Sequence, residues 1–462
     1  MKHLLVASII CMLGQIVPGG PGAGLGSGGA AAGQGVGYVL PILKRDSLLN
    51  GLQMIVLEQR GTGAVTARLR INSGGLFDLA TKGGLADITA GMLLRGGGGL
   101  TAKNVQEIVE SSGLKINITV GWDSTDITIS GPAESLDTIF DLLGRLLISP
   151  AFDEKELESL KAERIAEMKA EDKDDSQLVG RAALEAVYGS HPYGRPLRGT
   201  PESIAKIGGA DLDYFHGRFY IANNSELIIT GDATAEDVTR LGRAKLGAWK
   251  KGERVPATFR PPEAVGSRRL VVIDRKEAQA AHAAIAQEGV SRRASDYFAA
   301  MVMGEILSQK VSDLRGGSSG AEARTRIEAR YLPGPIIVQL KGGPTEIVEK
   351  VEGVIAAMTS LRSAGASVDQ VEAAKARVLN SFAERLRTTD GAAEIILDIE
   401  LYGLGRDYLI NFADRINAIA PADVKKAAET YLKPQSLVVV VAGPRSQIET
   451  PLKRLGAVTA MP

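Results

Sequence analysis

Apolar positions along this chain follow two rhythms. Leu136, Ile139, Phe140, Leu143, Leu146 and Leu147 recur at the 3.6-residue period that places them on one face of a helix. Residues 54–58 and 65–72, and again Arg269–Asp274 and Ala281–Glu288, alternate or run apolar in the way of strands. Further strands are predicted at 225–230 and 436–442, each after long amphipathic helical stretches. The segment GGLADITAGMLLRGGGG (83–99) predicts a helix with a small-residue face, opened by a Gly-Gly turn and closed by a glycine run. Mixed runs of strands and helices point to an α+β sandwich with helices on one sheet face.

The pattern occurs twice. DEKELESLKAERIAEMKAE (153–171) is echoed by VDQVEAAKARVLNSFAERL (368–386), which pairs Lys161 with Lys375 at an offset of 214 residues. LEAVYG (184–189) is answered by LDIELYG (397–403) at the same offset, Tyr188 with Tyr402. Farther on, Tyr220 pairs with Tyr431 and Ser225 with Ser436, where the offset has slipped to 211. Two homologous α/β-sandwich domains follow, at 38–250 and 268–462, with the charged, Pro-rich stretch 251–267 as linker.

Composition narrows the class. At 462 residues the chain exceeds one growing core, and 44% hydrophobic with 23% charged residues is ordinary for a globular protein. The 54 Lys plus Arg equal the 54 Asp plus Glu, and aromatics are only 5%, so nothing favours nucleic acid or an anionic membrane. Lys2 and His3 precede an apolar run at 4–17 that is too short to span a bilayer and reads as a secretory signal. The expected location is therefore exported, most simply periplasmic. Cys11, the single cysteine, lies within that run, so the mature chain would have none. Residues 19–37 are a glycine-rich leader. Its Gly24-x-Gly26-x-x-Gly29 matches a dinucleotide fingerprint in letters only, without the flanking strand and helix.

Several stretches together resemble the insulinase/pitrilysin family of metallopeptidases, which includes mitochondrial processing peptidase and the core proteins of respiratory complex III. They are Asn50-Gly51-Leu52, GGLFDLATKGGLADITAGMLLRG (74–96), SSGLKIN (111–117), SPAFDEKELESLKAER (149–164) and YGSHPYGRPLRGTPESI (188–204). The resemblance implies two sandwich domains closing like a clam shell around a chamber. Active members carry H-x-x-E-H on the helix, two zinc ligands one turn apart with a Glu that activates water. Here those five positions read Asp87-Ile88-Thr89-Ala90-Gly91. The family's third ligand maps to Glu167, the one retained ligand position. By the same resemblance Asn117 and Arg315 are the substrate-binding candidates, although the Tyr that accompanies the family's Arg is replaced within Gly320-Ala321-Glu322-Ala323.

Nothing else in the chain supplies the chemistry. The four histidines, His3, His191, His216 and His282, include no pair spaced i, i+4. Ser318 lies in a G-x-S-x-G, but a helix precedes it and no His follows residue 282, so the nucleophile elbow fails its context. EDKDD (171–175) reads as a solvated helix end rather than a hard-cation site. The glycine-rich stretches 96–99 and 315–323 read as turns, with substrate contact as the alternative.

The expected function is a catalytically inactive subunit, with no cofactor of its own, that pairs with a zinc-bearing paralogue and helps enclose extended peptides. A homodimer, a structural role like that of the complex III core proteins, and a metallopeptidase with atypical ligands are the alternatives. Restoring His at 87 and 91 and Glu at 90 is expected to rebuild a zinc site with Glu167.

Overall fold

The structure is a computed structural model that describes residues 42–256, 258–315 and 322–461. The expected leader and its signal run lie outside the described residues. Two six-stranded sheets are present. The first runs, in spatial order, Lys44–Ser47, Gln53–Glu58, Ser225–Gly231, Ala64–Ile71, Thr125–Pro132 and Lys115–Val120. The second, read from its Val458–Met461 edge, continues Arg269–Asp274, Val438–Gly443, Ala281–Glu288, Pro335–Gly342 and Glu322–Ile327. Five strands correspond one to one between the sheets. In each, the central parallel pair joins the first strand of the repeat to its last. The copies differ at the outer strand: Lys44–Ser47 runs antiparallel to its neighbour and Val458–Met461 runs parallel.

The duplication is visible at the level of single hydrogen bonds. The ammonium of Lys161 donates to Glu158 Oε1 at 2.7 Å and to the Ile207 carbonyl at 3.0 Å. Lys375, its counterpart, donates to Glu372 Oε1 at 2.8 Å and to the Ile419 carbonyl at 3.2 Å. Both lysines are buried, and a buried ammonium is tolerated only with such partners. The helices that carry them, Glu154–Glu171 and Val368–Arg387, start at Asp153 and Ser367, whose side chains accept first-turn N–H groups.

Each half gives its next helix to the other. Asp175–Tyr188 lies across Ala281–Glu288 and Val438–Gly443 of the second sheet, where Val179, Ala183 and Val187 pack with Ile273, Ala284 and Val440. Thr389–Tyr402 lies across Ser225–Gly231 of the first sheet, and Ile55, Leu57 and Ile228 share a core with Ile396 and Ile399. With both faces covered, Ser225–Gly231 and Val438–Gly443 are buried at every residue. That is why their centres, 227–229 and 438–442, read as continuous apolar runs instead of alternating.

Most predicted strands stand within a residue or two of the observed ones. The strand expected at 436–442 is observed as Val438–Gly443, because Ser436 closes a turn onto the Lys433 carbonyl. Between Leu246 and Arg269 there is no described helix or strand. The start of this stretch is nonetheless pinned: Ala222 donates to the Lys250 carbonyl, Asn223 exchanges two hydrogen bonds with Gly252, and Phe259 packs edge-on to Phe77.

Candidate functional site

The expected motif helix is Leu85–Leu93. Gly84 precedes it at φ 89°, and a Cβ there would lie 2.5 Å from the Arg198 carbonyl oxygen, so the turn needs glycine. Asp78 fixes the helix start: its two carboxylate oxygens accept the N–H of Gly84 at 2.7 Å and of Ala86 at 2.8 Å. Burial nevertheless pushes this carboxyl up to about 7, against the pull of those two N–H groups. The small-residue face follows from close packing. Ala90 is 1% exposed, and a Cβ on Gly91 would stand 2.9 Å from Leu160 Cδ2.

The guanidinium of Arg164 joins Asp87, at a lost ligand position, to Glu167, at the retained one. Its Nε donates to Asp87 Oδ2 at 2.8 Å and its Nη1 to Glu167 Oε2 at 3.2 Å. Arg198 also closes on Glu167, and donates to Glu171 Oε1 at 2.7 Å. Burial works to raise the Glu167 carboxyl, but the two arginines hold it below the usual carboxylate range. A divalent cation here would meet two guanidinium groups and no imidazole, so the residues present do not fit a zinc ion. Among the described residues, no group of three or more His, Cys, Asp or Glu is placed to hold a metal.

The remaining candidates are spread over both halves. Asn117 is exposed on Lys115–Val120, the edge strand of the first sheet, and donates to Thr119 Oγ1 at 3.1 Å. The motif helix packs against this strand, so the arginine-filled site and an open strand edge are neighbours. Arg315 ends the turn Asp313–Arg315; its side chain and the following loop, with Ser318, lie outside the described residues. Gly96–Gly97 and Leu100–Thr101 pair in a small hairpin in which Gly96, Gly98 and Gly99 adopt positive φ, a tight ribbon fixed by geometry. His191 has a local role: Nδ1 accepts the Tyr193 N–H at 3.1 Å. In EDKDD, Asp174 caps the following helix, and Asp175, expected to be solvated, pairs instead with Arg275 of the second half at 2.7 Å.

Sequence reasoning missed Arg164, Asp78 and Asp123. Arg164 stands three residues before Glu167, a spacing that could have flagged an ion pair, but its bond to Asp87 spans 77 residues. Asp123, in the turn between two strands, accepts from Tyr193 Oη at 2.8 Å, Tyr402 Oη at 3.0 Å and the Tyr331 N–H at 2.7 Å. Arg330 lies over the rings of Trp122 and Tyr193. The matched GSHPYG turn thus serves the junction between the halves. Arg70 does likewise, held by Asp126 at 2.7 and 2.8 Å and by Asp398 of the exchanged helix at 2.6 Å.

Known proteins share this architecture. A profile described as "Insulinase (Peptidase family M16)" matches residues 54–201, and one described as "Peptidase M16 inactive domain" matches residues 206–378. This chain belongs to the M16, or insulinase, family. The M16 chain is 23% identical over 206 residues to an uncharacterised zinc protease of Mycobacterium leprae, a stretch covering 44% of this chain and 46% of that protein. It is 24% identical over 270 residues to mitochondrial-processing peptidase subunit beta of Saccharomyces cerevisiae, 58% of each. It is also 24% identical over 193 residues to a non-peptidase homologue, YmxG, of Helicobacter pylori, 42% of each. The matches span about half the length of the first curated relatives. The crystal structure of an M16 inactive domain from Pseudomonas fluorescens superposes with a TM-score of 0.78 at 20% identity, over 87% of this chain and 98% of that one. The M16 chain therefore has a two-domain peptidase fold and is homologous both to zinc proteases and to non-peptidase homologues. No helix among its described residues is long and apolar enough to cross a membrane.

Proposed function

We propose that this chain is the non-catalytic subunit of an exported, periplasmic M16 assembly, paired with a zinc-bearing paralogue that supplies the chemistry. The observation that carries the reading is the Arg164 guanidinium between Asp87 and Glu167, where the family's site would need a metal and two imidazoles. What the chain keeps is the binding geometry. Among the described residues Lys115–Val120 has no strand on its outer side, and an extended peptide can add to it through main-chain hydrogen bonds, with Asn117 on its exposed side. The division of labour is physically sound: one subunit polarises the scissile carbonyl, and the other lowers the entropy of a long substrate by holding it extended. The subunit status of the yeast mitochondrial-processing relative supports pairing, and a chamber would then close between partners.

The test is co-expression with an H-x-x-E-H paralogue from the same genome. The expected result is a stable heterodimer that hydrolyses a quenched fluorescent peptide faster than the paralogue alone, while this chain alone has no activity with or without added zinc. Zinc-dependent hydrolysis by the isolated chain would overturn the reading.

A further inference from the structure

A cavity of about 760 Å³ lies in the second half, at the start of the Tyr297–Ser312 helix. Its charged lining is unbalanced. Four cations face it: Arg292, Arg293, Arg415 and Lys426. The two carboxylates in its wall are already engaged, Asp296 by the Tyr431 hydroxyl at 2.6 Å and Asp423 by the Ala420 N–H at 2.9 Å. Among the described residues, Arg292, Arg293 and Lys426 make no ion pair, and Arg415 has only Asp407 at 3.7 Å.

Arg292 is the informative member. Its guanidinium carbon lies 4.2 Å from the centre of the Tyr297 ring and 5.1 Å from that of Tyr408, and Nη2 donates to the Tyr408 hydroxyl at 2.8 Å. Nη1 has no partner among the described residues. Asp398, which acts on Arg292 through space, is held by Arg70 at 2.6 Å. A largely buried guanidinium without its own carboxylate costs free energy that ring faces only partly offset. Phe298 beneath Arg415 and the rings of Tyr297 and Tyr408 give the wall apolar surface beside these cations. The helix that opens there has no side-chain cap, so its positive end adds to the field.

We propose that this cavity binds a carboxylate carried on an apolar body, in the first instance the C-terminal residue of a peptide. The guanidinium and ammonium groups take the carboxylate, and the aromatic wall takes the adjoining side chain. The choice of a peptide as carrier rests on the subunit reading above; the demand for an apolar carboxylate does not.

Calorimetric titration of the full chain with N-acetyl-Ala-Ala-Phe, with its C-terminal amide and with 3-phenylpropionate tests it. The acid peptide is expected to bind at least about tenfold tighter than the amide. Arg415→Ala and Lys426→Ala, both at exposed helix positions, are expected to weaken the acid several-fold and leave the amide unchanged. Binding of 3-phenylpropionate as tight as that of the peptide would support the site and identify a free organic acid as the source. Equal binding of acid and amide, or no binding of any probe at millimolar concentration, would overturn it. A peptide held only along Lys115–Val120 would bind in both forms and ignore both variants, so this site can fail while the subunit reading stands.

Discussion

Arg164 Nε stands 2.8 Å from Asp87 Oδ2, and this ion pair joins the Leu85–Leu93 helix to the Glu154–Glu171 helix. In the family's active members a metal makes the corresponding link. Here the chain provides the positive charge itself, and Arg198 reinforces it at Glu167.

Removing that charge leaves Asp87 largely buried and unpaired. Arg164→Ala is expected to cost about 1–3 kcal/mol, read as a lower urea midpoint at unchanged slope. Asp87→Ala with Arg164→Ala should lose less than the two single losses added together. Strict additivity would mean that the pair contributes nothing.

Zinc binding follows from the same geometry. The purified chain is expected to retain no stoichiometric zinc after dialysis, as measured by elemental analysis. Asp87→His, Ala90→Glu and Gly91→His together are now expected to fail as well. This corrects the sequence expectation: a side chain at 91 meets Leu160, and Arg164 already occupies Glu167. Adding Leu160→Ala and Arg164→Ala should open the space and free the carboxylate. Calorimetry on the folded five-fold variant is expected to show zinc binding that Glu167→Ala removes.

Stability should depend on pH through Glu226. Burial pushes this carboxyl up from 4.5 to about 7; Asn72 bonds one oxygen at 3.2 Å, and the other has no partner among the described residues. The folded state therefore holds a proton that the unfolded state has released between pH 4.5 and 7. Stability from this group is fully present below 4.5 and is lost as the pH rises through 7, by on the order of 2–3 kcal/mol. Asp78, also pushed up to about 7, acts in the same sense. Glu226→Gln should flatten the profile of urea midpoints and exceed the parent in stability at pH 8. An unchanged slope would show that Glu226 ionises normally.

Asp123 should matter to the junction more than to either half. Asp123→Ala strips an acceptor from two tyrosine hydroxyls and one N–H, and is expected to cost roughly 3 kcal/mol or more. Differential scanning calorimetry should show the single transition broaden or split, because Tyr193 and the Tyr331–Tyr402 side lose their common partner. A sharp transition at an unchanged temperature would assign the coupling to the exchanged helices alone.

The sequence by itself determined the repeating unit. Period-3.6 helices, apolar strands and the Lys161–Lys375 register are local patterns, legible without knowing what each face packs against. The loss of the ligand side chains at Asp87, Ala90 and Gly91 was equally legible, because it needs only a spacing on one helix. The tertiary structure alone decided which half receives Asp175–Tyr188 and Thr389–Tyr402, since a helix with an apolar face fits either sheet. It alone placed Arg164 against Asp87, Asp123 under three donors from distant segments, and Arg292 beside Arg293, Arg415 and Lys426 at a cavity. These contacts join residues from separate elements, and a charged side chain carries no local signal of the partner it will meet. Periodicity records which face of an element is buried, and only the packed chain specifies against what.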